Sequence, residues 1–271
     1  MGKLLYCDLK RVVRDKLFLI TCFIGLGFAI FTPVLYKIIF AVLELEEMMN
    51  AMPGMAISAK SMFFQAFLPG GDFGLIMPIL LSIIICKDFS YGTIRNKIIS
   101  GSRRIDIFAS IFLTNTIVMC GVMLAYGLVT LGVSLIFFEY SSVAFTFGEA
   151  MYLLLSLVFE MLVYVFIAAL VSLLCVFAKN VGLVIVMYFG VNFFFTIIGS
   201  ITSIATTLGG EGIVYDVLRV ISNANVFSSG IIGSGTEYNL EAILCILIPT
   251  LIGGGLFAFL GALIFNKKDL K

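Results

Sequence analysis

Residues 73–104, FGLIMPILLSIIICKDFSYGTIRNKIISGSRR, decide the fold. An apolar run with the character of a membrane span continues to Cys86. It then gives way to a polar passage carrying five cations, Lys87, Arg95, Lys97, Arg103 and Arg104. The bias of positive charge toward the cytoplasm places this passage inside the cell. Within it the spacing predicts a short helix with marked ends. Gly92-Thr93 offers a cap whose hydroxyl accepts from a free backbone N–H, Ile94, Ile98 and Ile99 form one apolar side, and Gly101 permits a left-handed stop. A membrane protein that presents an isoleucine-faced helix to the cytoplasm has a surface suited to docking.

Composition sets the class. The chain of 271 residues is 61% hydrophobic and 12% charged, too apolar to surround a soluble core with a polar shell. Its net charge of +1 gives no reason to expect a nucleic-acid partner. All six cysteines (Cys7, Cys22, Cys86, Cys120, Cys175, Cys245) fall in or beside apolar runs or in the N-terminal stretch, so they read as filler and not as a disulfide framework.

A helix of about 20 residues crosses a hydrocarbon layer of about 30 Å. Runs of this kind are expected at 17–42, 73–86, 107–138, 151–177, 181–205 and 240–265, within a single domain spanning 1–271. The second is the shortest, and its start could lie as far back as Phe63 or Phe67. Pro33, Pro78 and Pro249 fall inside spans, where neighbouring helices can re-satisfy the freed backbone. The first run is too long for a cleavable signal and lacks a small-residue cleavage site. With both ends inside, fourteen of the seventeen Lys and Arg residues are cytoplasmic, and only Lys37, Lys60 and Arg219 lie outside or at the outer boundary. The acids lean outward: Glu44, Glu46, Glu47, Asp72, Glu139, Glu149, Glu211, Asp216, Glu237 and Glu241. The inverted orientation is rejected.

Residues 1–16 form a separate element. Leu5, Leu9, Val12 and Val13 repeat at helical spacing, with Lys3, Asp8, Lys10, Arg11, Arg14 and Asp15 on the other side, as in a helix lying in the cytoplasmic interface. It either anchors and orients the chain or contacts the same cytoplasmic partner as 87–104. Two external connections are long. Residues 43–72 hold an acidic, Met-rich stretch and SMFFQAFLPGG. Residues 206–239 hold GIVYDVLRVIS, with Ile213, Val217 and Ile221 aligned, then SSGIIGSG. The short apolar helix in the latter either dips into the outer leaflet, enclosed by protein at its ends, or caps the outside.

Absences remove several chemistries. The chain has no histidine, so zinc–histidine sites and Ser-His or Cys-His catalysis cannot be built. Glu46-Glu47 superficially resembles the paired glutamates of intramembrane CAAX-type proteases, but the arginine and the histidines those enzymes need are missing. No G-x-x-x-x-G-K-[ST] loop is present to bind ATP. An enzyme is the weak hypothesis.

Few polar residues lie inside the spans. Tyr152, Ser156, Glu160 and Tyr164 step by four and share a helix face, with Glu160 near mid-depth. Asn115 and Asn192 are comparably embedded. A charge at that depth faces the bundle interior or a wet cavity. Glu160 therefore serves either a translocation or gating step or a buried hydrogen bond, and the asparagines join helices or line the pathway.

The passage after the second span resembles the cytoplasmic loop of ABC-2 type permeases, the membrane subunits of bacterial ABC exporters. Asp88 stands where that family prefers Glu, Gly92-Thr93 follows at the same offset, Ile98-Ile99 match the aliphatic pair and Arg104 the terminal Arg. Gly101 replaces the usual proline, and Ala109-Ser110 stand where a further basic residue is common. With the N-terminal helix, six spans and inward termini, the resemblance covers the whole chain. It implies an all-α integral membrane protein in the bacterial cytoplasmic membrane. Two permeases, identical or paralogous, would form the pathway, and two separate ABC ATPase subunits would hold ATP and Mg²⁺. Residues 87–104 would be the coupling loop, acting through Asp88, Gly92, Thr93, Ile94, Ile98, Ile99 and Arg104, with Ala178-Lys179-Asn180 as a smaller contact. Glu160, Ser156, Tyr164, Asn115 and Asn192 are the pathway candidates. Similar small permeases export antimicrobial peptides, drugs or lipid-like molecules, so the expected cargo is an amphipathic peptide or drug. The rival cargo is a lipid or glycan-linked molecule. The rivals of another class are a secondary transporter or channel with Glu160 as its ion site, and a structural membrane anchor or assembly factor.

Overall fold

The computed structural model describes residues 1–42, 58–141, 145–207, 212–227 and 240–267. The acidic, Met-rich stretch and SSGIIGSG lie outside the described residues. The helices are α1 (Gly2–Arg14), α2 (Lys16–Val42), α3 (Ala59–Gln65), α4 (Asp72–Ser90), α5 (Thr93–Ile99), α6 (Arg104–Phe137), α7 (Phe147–Ala178), α8 (Val181–Thr207), α9 (Ile213–Ala224) and α10 (Leu240–Lys267). Six of them, α2, α4, α6, α7, α8 and α10, are long and apolar enough to cross a membrane. No strand occurs among the described residues.

Helices α7 and α4 form the centre. Their apolar windows are 67% and 61% buried, against 28% or less for the other four. Helix α7 packs against α4, α6, α8 and α10, while α2 lies on α4 and α6. This explains why these long helices have little amphipathic pattern: the outer ones present apolar side chains both to one another and away from the bundle. Several hydroxyls inside the bundle are satisfied locally. Thr116, Thr130, Ser156, Thr196 and Thr250 each donate to the carbonyl four residues back, so their hydroxyls enter an apolar interior without a bare donor.

The second span is not extended backwards to Phe63 or Phe67. A separate helix, α3, precedes it, closed at its start by a reciprocal Ser58–Ser61 capping box. The turn from Ala66 to Gly71 then leads into α4. Phe63, Phe64 and Phe67 are buried, and Phe67 sits over Gly127 of α6 so closely that any side chain there would meet its ring. The exposed carbonyls of this turn are taken by side chains from other helices. Tyr164 Oη donates to Phe67 O (2.9 Å) and Asn192 Nδ2 to Pro69 O (3.2 Å). Pro78 has no N–H to offer the Gly74 carbonyl, and Tyr188 Oη donates there instead (3.1 Å). Irregular backbone between apolar helices is stable only when such donors are supplied.

The C-terminal end of α9 returns to the bundle. Asn225 Nδ2 donates to Phe195 O, about fourteen residues or roughly 21 Å into α8 by the helical rise. Phe227 is buried against Phe166, Tyr188 and Phe195. None of the residues of α9 itself is buried, and Ile213, Val214, Val217 and Val220 are exposed.

Candidate cytoplasmic coupling site

Helix α4 continues through Lys87 and Asp88 to Ser90, so the loop proper is shorter than 87–104. Gly92 then adopts φ 67°, a left-handed turn that starts α5. Thr93 is the first helical residue, and its hydroxyl makes no cap bond, contrary to the sequence expectation. The stop is as expected. Gly101 has φ 89°, its N–H donates to Ile98 O (3.0 Å), and Ser102 N–H donates to Lys97 O (3.2 Å). These two bonds make a Schellman motif and satisfy the last carbonyls of α5.

The isoleucines do not share one free face. Ile94 is 2% exposed and belongs to the chain's own core, together with Val12, Ile107 and Phe108. Ile98 is half-buried beside it. Ile99 is 74% exposed and Tyr91 73%, with Arg95 and Asn96 also exposed. A seven-residue helix packed on α4 and α6 must spend one apolar side on them, and Ile94 occupies that side. The outward apolar surface is therefore Tyr91 and Ile99.

Six charges around α5 are paired within the chain: Asp8, Arg11, Asp15, Lys87, Asp88 and Lys97. Asp8 of α1 is buried, although the heptad-like pattern put it on the polar side. It accepts from Lys97 Nζ (2.6 Å) and, through its other oxygen, from Ser110 Oγ (2.7 Å). Arg11 Nη2 donates to Asp88 Oδ2, and Lys87 Nζ to Asp15 Oδ2 (3.0 Å). Partial burial raises the Asp15 carboxyl, but the Leu17 N–H and then Lys87 outweigh it, leaving the group below its usual value. Helix α1 thus binds the 87–104 passage of its own chain. Asp88 is held by Arg11 and is not a free contact. Arg104 Nη1 donates to Asn266 O (2.9 Å), joining α6 to the end of α10. The Ala178-Lys179-Asn180 turn has Lys179 at φ 55°, and Asn180 Oδ1 accepts from Gly182 N–H (3.0 Å), which starts α8.

The pathway candidates all lie inside the chain. Tyr152, Ser156, Glu160 and Tyr164 are buried along one side of α7, as are Asn115 and Asn192. Tyr164 and Asn192 hold the Ala66–Gly71 turn through the bonds given above, and Ser156 Oγ donates to Tyr152 O (2.7 Å). Glu160 Oε2, Asn115 Nδ2, Thr114 Oγ1 and Ser172 Oγ have no hydrogen-bond partner among the described residues. Tyr126 and Tyr164 flank Phe73, with ring centroids 5.1 and 5.2 Å from it. Sequence reasoning missed Tyr188 as a backbone donor, although Pro78 signalled a carbonyl in need of one.

It also missed a buried ion pair at the other end of the bundle. Lys60 Nζ lies 2.7 Å from Glu149 Oε2, with both side chains less than a tenth exposed, and 4.8 Å from the Tyr152 ring centroid. Burial, then the Glu149 charge, push the Tyr140 phenol up to about 12. Lys60 had read only as one of three cations left outside.

No protein-family model matches the chain, and no curated protein matches it. The chain is all-helical among the described residues, with six helices long and apolar enough to cross a membrane.

Proposed function

We propose that this chain is the permease subunit of an ATP-driven exporter, paired with a second permease and docked through α5 on separate ATPase subunits that hold ATP and Mg²⁺. The observation that carries the reading is α5 itself. It is a short helix bounded by two left-handed glycines, fastened from behind by Ile94 and Lys97, with Tyr91, Arg95 and Ile99 turned away from the bundle. A helix pinned on one side, with Tyr91, Ile99 and Arg95 exposed on the other, transmits a push from a partner to α4 and α6 without deforming. The chain contains no phosphate-binding loop of its own, so the energy source lies in another polypeptide. Charge bias puts both termini and α5 in the cytoplasm, and the resemblance to ABC-2 type permeases implies the bacterial cytoplasmic membrane.

The cargo class that suits this interior is an amphipathic peptide or drug. A cavity of about 190 Å³ beside the Ala66–Gly71 turn mixes apolar walls (Met62, Leu68) with Tyr36, Gln65 and Thr130. The bond from Asn225 to a carbonyl partway along α8 favours the re-entrant of the two arrangements for residues 212–227.

Co-expression with the candidate ATPase tests the reading. The two should purify together, and amphipathic ligands should stimulate hydrolysis by the complex. A single cysteine at Ser100 should resist an impermeant thiol reagent in intact cells, while one at Phe145 should react. Labelling at Ser100 from outside would reverse the orientation and remove the docking argument. A second reading rests on the unpartnered Glu160 Oε2: an ion- or proton-coupled carrier that needs no partner. Under that reading Glu160→Gln abolishes transport and collapse of the proton gradient stops it. Under the exporter reading, transport survives that collapse as long as ATP is present.

A further inference from the structure

We propose that the outward stripe of α1 is a binding face for anionic phospholipid headgroups. On this 13-residue helix the exposed side chains are those of Lys3, Tyr6, Cys7, Lys10, Val13 and Arg14. At about 100° per residue these fall within one third of the helix circumference. The opposite side carries Asp8 and Val12, both buried in the bundle.

The charge distribution singles out the ligand. Both acids of residues 1–16 face inward, Asp8 on Lys97 and Asp15 on Lys87, and Arg11 turns inward to Asp88. What remains outside is cationic. Lys3, Lys10 and Arg14 have no carboxylate partner among the described residues, and Lys10 Nζ lies 5.8 Å from the Tyr6 ring centroid. Cations on flexible stems beside an aromatic ring and an aliphatic side chain match a headgroup layer, where phosphate and apolar chain meet. One residue after the stripe ends, α2 begins, and its first turns expose Leu19, Ile20 and Phe23. A basic stripe joined by a single residue to a membrane-spanning helix is held close to the headgroup layer, within reach of lipid phosphate. The proposal does not depend on whether an ATPase docks at α5.

The test uses the full chain in vesicles, with Cys7 as its only cysteine and a fluorophore attached there. The vesicles carry equal mole fractions of headgroup-spin-labelled phosphatidylglycerol or phosphatidylcholine. Each basic residue near an anionic surface favours it by about fivefold. Quenching by the anionic lipid should therefore exceed that by the zwitterionic lipid several-fold. The excess should shrink in high salt, and vanish in the Lys3→Gln, Lys10→Gln, Arg14→Gln variant. Native mass spectrometry of the otherwise unaltered chain, with and without those three changes, gives a second readout that needs no cysteine removal: retained phosphatidylglycerol should drop. Equal quenching by the two lipids, or unchanged lipid retention in the triple variant, overturns the proposal. So does a probe open to aqueous quencher until a cytoplasmic protein covers it, which would assign the stripe to a protein partner.

Discussion

Under the exporter reading, Ile99→Asp combined with Tyr91→Ala is expected to cut the yield of co-purified ATPase at least tenfold, while insertion and thermal stability of the membrane chain stay near wild type. Both side chains are mostly exposed and neither belongs to the core, so the changes leave the packing of the bundle intact. Fully burying one large apolar side chain against a partner contributes about 1.5–3 kcal/mol, and about 1.4 kcal/mol is a factor of ten in affinity. A carboxylate placed in a dry docking cleft adds its own desolvation cost. Ile94→Asp provides the contrast. Ile94 is enclosed by the chain itself, so that variant should lose folded yield whether or not an ATPase is present. If the Tyr91/Ile99 variant holds the ATPase at wild-type yield, α5 is not the dock, and the exporter reading loses its main support.

The contrast between Ile94 and Ile99 also measures what could be read from the sequence. The six apolar runs were legible because membrane spans are written in composition over twenty residues, and the helices lie close to where those runs are. The left-handed stop at Gly101 was legible because only a glycine takes that conformation at low cost. The orientation of α5 was not. A seven-residue helix turns less than twice, so three isoleucines on it cannot reveal which of them meets the bundle. Asp8 misled for a related reason. A charged residue on an amphipathic helix reads as solvent-facing, and it is buried here only because Lys97 and Ser110, about a hundred residues away in sequence, come to it. The Ala66–Gly71 turn shows the same limit. Its carbonyl partners Tyr164 and Asn192 were both picked out as embedded polar residues. That they brace the turn leading into the second span follows only from the packing of α7 and α8 around it.

Asp8→Ala should therefore be among the most damaging single changes outside the membrane spans. It strips the acceptor from Lys97, whose side chain is only 14% exposed, and from buried Ser110. Breaking a buried pair by removing one partner costs about 3–5 kcal/mol, because the remaining charge is left without compensation. A clear fall in melting temperature of the purified chain is expected. Lys97→Met in the same background should restore much of that loss by removing the stranded charge. A double-mutant cycle on Asp8 and Lys97 should then report a coupling well beyond the about 0.5 kcal/mol of independent sites. Function separates from stability in the double variant. Its α5 is still capped by Gly92 and Gly101 and still packed through Ile94, but no longer tied to α1. If α1 steadies α5 against the push of the partner, the double variant should keep ATPase binding and basal hydrolysis while losing cargo stimulation. Unchanged stability in Asp8→Ala would mean that Lys97 finds another partner or water, and the α1–α5 tie would then be incidental to the fold.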